Sequence, residues 1–105
     1  MVNPMVKYVR SLDSTFRALA DPTRLQIYES IAANPNTYCG QIIDKHDLSP
    51  GTVSHHLKIL MEARLIECRR DGQFIHNRAV PETMREYTQA LARLARSGKS
   101  ERDRK

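Results

Sequence analysis

Residues 49–60, Ser-Pro-Gly-Thr-Val-Ser-His-His-Leu-Lys-Ile-Leu, predict a helix whose two faces differ in polarity. Ser49 is a favourable N-cap, and Pro50 suits the first helical position, where the missing N–H costs nothing. The apolar residues of the segment recur at helical spacing and form a stripe that can face a core: Val53, Leu57 and Leu60. The outward side chains are short hydrogen-bonding groups and one cation: Thr52, Ser54, His55 and Lys58.

A smooth, polar and mildly basic helix face fits the major groove of duplex DNA, where base edges present hydrogen-bond donors and acceptors. The segment is therefore a candidate recognition helix. The residues expected to contact DNA from it are Ser49, Gly51, Thr52, Ser54, His55 and Lys58, the last on a phosphate. The alternative is a solvated face of a small helical protein. His56 lies on the inner side of the helix, and we expect it to pack within the fold.

The length and composition of the chain indicate one small domain. Its 105 residues are 40% hydrophobic with no Trp, so one copy buries a thin core that dimerisation would enlarge. No apolar run approaches membrane-spanning length and no signal peptide is evident, so we expect a cytoplasmic protein with no membrane partner. The net charge is +5, but residues 96–105 supply +3 of it, so bulk charge supports nucleic-acid binding only weakly.

The remaining patterns predict a fold that is mainly α with a minor β part. Five helices are expected over about 9–20, from Pro22 to Asn34, from Tyr38 or Cys39 to His46, over 50–63 and over 81–96. In the second helix, Leu25, Tyr28 and Ile31 are expected to face the core. Two runs of alternating residues, 65–69 and 74–78, flank Asp71-Gly72, which is a strong hairpin signal.

These elements together predict a winged helix-turn-helix, with five helices and a two-stranded β-hairpin wing between the fourth and the fifth. Its DNA-binding and dimerisation domain is expected over 9–96, after a flexible N-terminus (1–8) and before a disordered basic tail (97–105). At the wing, Arg69, Arg70 and Gln73 are expected to reach the minor groove or its phosphates. The alternative is a charged hairpin that only keeps its edge from pairing with other chains.

Three motifs of the chain resemble those of the ArsR/SmtB family of small transcriptional repressors. They are Leu19–Leu25 (LADPTRL), Thr52–Lys58 (TVSHHLK) and Arg69–Gly72 (RRDG), and the similarity covers roughly residues 12–95. The resemblance implies a homodimer that is joined through the first and last helices, binds an imperfect inverted repeat and leaves it when an inducer binds. Within the LADPTRL motif, Arg24 is expected to cap or pair inside the fold.

The last helix carries apolar residues at the spacing of a helix–helix seam, which agrees with the dimer that the resemblance implies. The expected dimer interface consists of Leu12 and Phe16 from the first helix and Met84, Tyr87, Leu91 and Leu94 from the last.

The inducer sites of that family do not recur in this sequence. Many members have a Cys-x-Cys pair at the start of the third helix, whereas this chain has one thiol there, Cys39. Others bind zinc through histidines and carboxylates of the last helix, but no His or Cys follows His76. Since zinc needs about four donors held tetrahedrally, we expect no metal site of the usual kind, and no cofactor.

Cys39 is a candidate redox residue, because the N-terminus of the third helix would stabilise its thiolate. The alternative is a small, half-buried apolar residue. A disulfide with Cys68 is not expected, since Cys68 lies in the first wing strand, which should pack near the fourth helix instead.

The sequence as a whole predicts a homodimeric repressor that binds a pseudo-palindromic operator of double-stranded DNA and is released by an unidentified effector. No nucleophile–base arrangement, phosphate-binding loop or pair of catalytic carboxylates points to an enzyme. Two alternatives stay open: a thiol-based redox or metal sensor acting through Cys39, and a winged-helix module that binds another protein.

Overall fold

The computed structural model describes the backbone of residues 4–98 and the side chains of residues 12–98. The described backbone forms five helices and three strands. In chain order they are α1 (Pro4–Leu19), α2 (Pro22–Ala33), β1 (Thr37–Tyr38), α3 (Cys39–His46), α4 (Pro50–Glu62), β2 (Ile66–Asp71), β3 (Phe74–Ala79) and α5 (Pro81–Ser97). The predicted winged helix-turn-helix with five helices is confirmed.

The helices begin where local capping chemistry places them. Asp21 precedes α2, and its carboxylate accepts the N–H of Arg24 at 2.9 Å, while Pro22 takes the first turn. That hydrogen bond lowers the pKa of Asp21. The predicted start of α1 near Val9 is wrong, because α1 already begins at Pro4, whose fixed φ angle suits a first helical position.

The described part of the chain includes the whole of α5. Helix α5 ends at Ser97, next to Gly98. Residues 1–3 of the expected flexible N-terminus, and 99–105 of the expected disordered tail, lie outside the described residues.

The hydrophobic core is centred on α2. Ile27 and Ile31 are fully buried there and belong to one core cluster with apolar residues of α3, α4 and the segment before β2, among them Ile42, Leu60 and Leu65. The expectation that Leu25 faces this core is wrong, since its side chain is 36% exposed. The buried stripe of α2 instead runs through Arg24, Ile27, Tyr28 and Ile31.

The wing belongs to a sheet of three strands rather than the two that the sequence predicts. The strands are antiparallel in the order β1-β3-β2, and the hairpin between β2 and β3 turns at Gly72, whose φ is +62°. Strand β1 was missed because two residues are too short to show an alternating pattern. It joins the start of α3 directly to the wing.

A tight turn sets α4 against α3. Asp47 adopts a left-handed conformation with φ 51° and ψ 50°, and its N–H bonds to the carbonyl of Ile43. His46, at the end of α3, lies 3.0 Å from the hydroxyl of Ser30, which itself donates to the carbonyl of Gln26. Helix α3 is thus tied to α2, and the short turn presents α4 on the surface.

Candidate DNA-binding surface

The start of α4 is capped by Ser49, as predicted. The Ser49 hydroxyl accepts the N–H of Thr52 at 3.2 Å and lies 2.8 Å from the Thr52 hydroxyl. Both side chains stay exposed. Next to them, no packing neighbour lies within 4 Å of the place where Gly51 would carry a Cβ. The first turn of α4 is therefore a low surface with hydroxyl groups at its centre.

The two faces of α4 divide as the sequence predicts. Val53, Leu57 and Leu60 are at most 5% exposed and belong to the core. The residues predicted to face outward are all exposed: Thr52, Ser54, His55 and Lys58. Apart from Met61 near the C-terminal end of α4, which is 39% exposed, this face is polar and open to a polar partner.

The inner side of α4 holds a polar contact that the sequence only partly indicates. His56 is 8% exposed, which confirms that it packs within the fold, and burial lowers its pKa. Its Nδ1 atom lies 3.3 Å from Nη1 of Arg24, which is itself buried. The expectation that Arg24 pairs inside the protein is thereby confirmed.

The three wing residues expected at the DNA are exposed but do not share one face. In the β2–β3 register, Arg69 stands opposite His76 and Arg70 stands opposite Ile75. Since successive strand residues point to opposite sides of a sheet, the two guanidinium groups lie on opposite faces of the wing. Gln73 follows Gly72 in the turn between the strands. The wing therefore presents a cation on each side of its tip.

One face of the wing carries an aromatic cluster that sequence reasoning missed. The ring of Tyr38 lies 4.7 Å from that of His76 in a T-shaped arrangement and 5.3 Å from that of Phe74. Tyr38 immediately precedes α3, so these contacts join the wing to the helix-turn-helix. The sequence shows only that Tyr38 and Phe74 are aromatic, and it does not reveal that β1 brings them together.

The two cysteines share a contact that the sequence does not predict. Asn77 of β3 is fully buried, and its side-chain oxygen accepts the Cys68 thiol at 2.9 Å. Its amide nitrogen donates to the Thr37 carbonyl at 3.1 Å and lies 3.6 Å from the Cys39 sulfur. Both cysteines are free thiols that meet one side chain, because β1 brings the start of α3 against β3. Burial, together with the neighbouring Cys39, raises the pKa of Cys68.

The residues expected at the dimer interface form an apolar surface on α1 and α5. Phe16 packs edge-on against Tyr87, with ring centroids 5.2 Å apart, yet remains 45% exposed. Leu94 is 56% exposed. The other predicted interface residues are half-buried: Leu12, Met84, Tyr87 and Leu91. A single chain therefore leaves large apolar side chains of these two helices in water.

Metal-binding clusters and membrane-spanning helices are both absent from the part of the chain that the structure describes. No group of three or more His, Cys, Asp or Glu side chains there is arranged to hold a metal ion. None of the described helices is long and apolar enough to cross a membrane.

Comparison with known proteins identifies the family of this chain. The family model described as bacterial regulatory protein, arsR family, matches residues 21–67, from the cap of α2 into the first wing strand. The HTH-type transcriptional regulator MJ1325 of Methanocaldococcus jannaschii is 32% identical over 90 residues, which cover 86% of this chain and 100% of that protein. The chain belongs to the arsR family. It is a transcriptional regulator with a winged helix-turn-helix DNA-binding domain, and it is not an enzyme.

A further relative is similar in sequence, and two solved structures are similar in fold. The transcriptional repressor SdpR of Bacillus subtilis is 37% identical over 65 residues, 62% of this chain and 71% of that protein. An ArsR-like transcriptional regulator from Rhodococcus superimposes with a TM-score of 0.76 at 24% identity, over 85% of this chain and 83% of its own. The homodimeric winged helix-turn-helix domain of Mb0332 from Mycobacterium bovis gives a TM-score of 0.73 at 21% identity, over 90% and 88%.

Proposed function

We propose that this arsR-family regulator is a homodimeric repressor that binds a pseudo-palindromic operator. Helix α4 of each protomer lies in the major groove, and each wing lies over the neighbouring minor groove. Repression follows from occupancy, because a dimer on promoter DNA excludes the polymerase. We expect the protein to act in the cytoplasm, where prokaryotic DNA lies.

The observation that carries the proposal is the composition of the outward face of α4. Thr52, Ser54 and His55 combine donors and acceptors with little bulk, and their exposure leaves them without competing partners in the core. A well-made base contact discriminates between base pairs by about 1–3 kcal/mol. One protomer offers few such contacts, so useful selectivity requires two half-sites.

The apolar surface on α1 and α5 supports the dimer that two half-sites require. Exposed Phe16 and Leu94 would be removed from water by a second copy of the chain. A similar domain, that of Mb0332, is homodimeric. Two-fold symmetry then predicts half-sites about one helical turn apart, roughly 34–36 Å from centre to centre.

Cations at both ends of the surface support contact with the phosphate backbone. Lys58 lies on α4, and Arg69 and Arg70 flank the tip of the wing. Each phosphate that a cation neutralises releases counterions, so the affinity should fall steeply with salt. Since the two wing arginines lie on opposite faces, we expect them to contact the two sides of the groove that the wing enters.

Release from DNA requires an effector that binds the DNA-free conformation more tightly. A tenfold loss of DNA affinity corresponds to about 1.4 kcal/mol of such a difference. Cys39 is one candidate for the responsive group, because its sulfur lies beside Asn77 at the junction of α3 and the wing. A covalent change there would act on both DNA-contacting elements.

The proposal is tested by selecting bound duplexes from random DNA with the purified protein. We expect an inverted repeat with half-sites one turn apart. The double variant Ser54→Ala/His55→Ala should lose its preference for the selected duplex over a scrambled one, and should unfold at the wild-type temperature, because both residues are exposed. Gln26→Ala, an exposed change on α2, is the matched control that keeps the preference.

The salt response separates this function from a protein-interaction module. For a dimer, Lys58→Gln removes two phosphate contacts, so the slope of log affinity against log salt should become shallower by about 1.8. A wild-type affinity that does not change with salt would favour the interaction module. Retained sequence preference in the double variant would show that α4 does not read the bases.

A further inference from the structure

The buried guanidinium group of Arg24 closes the end of α1. Its Nε donates to the carbonyl of Ala18 at 2.6 Å, and its Nη2 donates to the carbonyl of Arg17 at 2.9 Å. Both carbonyls belong to the last turn of α1, where intrahelical partners are missing and the helix dipole is negative. Arg24 therefore attaches α2 to the C-terminal end of α1 through main-chain carbonyls.

The third nitrogen of the same guanidinium group meets the recognition helix. Nη1 of Arg24 lies 3.3 Å from Nδ1 of His56, on the buried side of α4. A guanidinium group only donates hydrogen bonds and keeps its charge at any relevant pH. The contact is therefore a hydrogen bond only when the imidazole is neutral and carries its proton on Nε2.

This contact connects the apolar surface of α1 to the DNA-facing helix. Phe16, one residue before Arg17, packs on Tyr87 of α5 and belongs to the surface proposed for dimerisation. The carbonyls of Arg17 and Ala18 hold Arg24, and Arg24 holds His56. The spacing of the two recognition helices in a dimer depends on how α4 sits relative to α1, so a contact between them has a direct consequence for half-site recognition.

We propose that Arg24 and His56 are positioning residues for operator recognition: the guanidinium group on a neutral imidazole holds α4 at a set angle to α1, and protonation of His56 releases it. The inference rests on the proposed homodimeric operator binding. Neither side chain touches DNA, since both are buried on the inner side of the helix-turn-helix. They act through the orientation of the outward face of α4.

The surroundings of His56 decide the direction of its response to pH. Burial lowers its pKa first of all, the Asp21 carboxylate raises it, and the positive charges of Arg24 and His55 lower it again. The net direction is downward from 6.5, so the imidazole is neutral at neutral pH. A proton added at acidic pH would occupy Nδ1 and face the guanidinium group, which turns an attraction into a repulsion.

The test compares variants that keep or remove the acceptor on α4. Asn places an amide oxygen near the position of Nδ1, so His56→Asn keeps an acceptor that does not titrate, whereas His56→Leu keeps bulk without an acceptor. Arg24→Lys keeps the charge but loses the planar set of three donors. Arg17→Lys, whose side chain is exposed and pairs with Asp13, is the control for a changed cation on α1.

Binding is measured by fluorescence anisotropy on a duplex selected by the wild-type protein and on a scrambled duplex, from about pH 8 to about pH 5.5. The ratio of the two affinities removes any change in the general attraction to DNA, because such a change affects both duplexes equally. At neutral pH we expect this ratio to fall about tenfold in His56→Leu and Arg24→Lys and to be unchanged in His56→Asn and Arg17→Lys. On acidification the wild-type ratio should fall, and that of His56→Asn should stay constant.

Folding and protonation are followed independently of DNA. Circular dichroism and sedimentation show whether each variant is folded and dimeric. If His56→Leu unfolds, the affinities of Arg24→Lys and the pH profile of His56→Asn still test the positioning role. Nitrogen NMR of the imidazole should show an unprotonated Nδ1 on His56 at neutral pH. A protonated Nδ1 would overturn the inference. It would also be overturned if folded Arg24→Lys kept the wild-type ratio of affinities and His56→Asn kept the wild-type pH profile. In both cases the proposed operator binding would stand. A wild-type protein that prefers no duplex would refute the proposed function, and this inference with it.

Discussion

Replacement of Asn77 by Leu tests whether one buried amide holds the wing to the helix-turn-helix. The two side chains have the same branching and the same number of heavy atoms, so the change removes hydrogen bonds while it largely keeps the shape of the side chain. The Thr37 carbonyl loses its 3.1 Å donor and the Cys68 thiol loses its 2.9 Å acceptor. Asn77 is fully buried, so water does not replace either partner.

The expected cost follows from the groups left without partners. A buried carbonyl without a donor costs about 1–3 kcal/mol, and the thiol adds little because it is a weak donor. A loss of about 2 kcal/mol corresponds to a fall in melting temperature of roughly 8–16 °C for a domain of this size. Cys68→Ala, which removes only the weak donor, should cost clearly less than Asn77→Leu.

Thermal and urea denaturation measure these changes at a fixed protein concentration, since dimerisation makes the melting temperature depend on concentration. Gln26→Ala, an exposed loss of an amide side chain on α2, should lie within about 0.5 kcal/mol of the wild type. An Asn77→Leu protein as stable as the Gln26→Ala control would refute the reasoning. It would mean that β1 is held to β3 by its backbone pairing alone.

Three further predictions concern the dimer, the pH response and the thiols. Leu94→Glu places a charge on the apolar surface of α5 and should shift sedimentation toward the monomer, whereas Gln89→Glu on the same helix should not; an unchanged dimer would exclude this surface. Burial lowers the pKa of both His46 and His56 from 6.5. The folded state favours the neutral imidazoles, so the free energy of unfolding should be highest above about pH 6.5 and should fall as the pH drops through the lower pKa values of the folded state. Urea titrations that show no loss of stability on acidification would contradict this. Alkylation of Cys39 should weaken DNA binding, because the added group displaces Asn77; full modification with unchanged affinity would remove Cys39 from the mechanism.

Local chemistry explains why the sequence predicts most of the fold. Caps such as Asp21-Pro22 and Ser49-Pro50 and the turn at Asp71-Gly72 involve atoms within a few residues of each other, so their signals are present in short stretches. The alternation of buried and exposed residues along α4 is equally local. These local features are sufficient to predict the helices, the hairpin and the outward face of the recognition helix.

Apart from the start of α1, the errors concern residues whose partners are distant in the chain. β1 has two residues and exists because β3 offers it hydrogen bonds, and Leu25 loses its place in the core to residues that meet other elements better. The opposite faces of Arg69 and Arg70 follow from the extension of β2 to Asp71, beyond the run 65–69 that the sequence predicts.

Helix ends, turn positions and the polarity of each helix face are properties of neighbouring residues, and the amino-acid sequence specifies them directly. The junctions are of another kind: Arg24 meets His56 across 32 positions, and Asn77 reaches the Thr37 carbonyl across 40. Polar side chains are compatible with many partners, and burial in the closed fold selects one, since an unpaired polar group in the core is costly. The folded core therefore decides how the recognition helix and the wing are held, although neither contact is visible as a pattern in the chain.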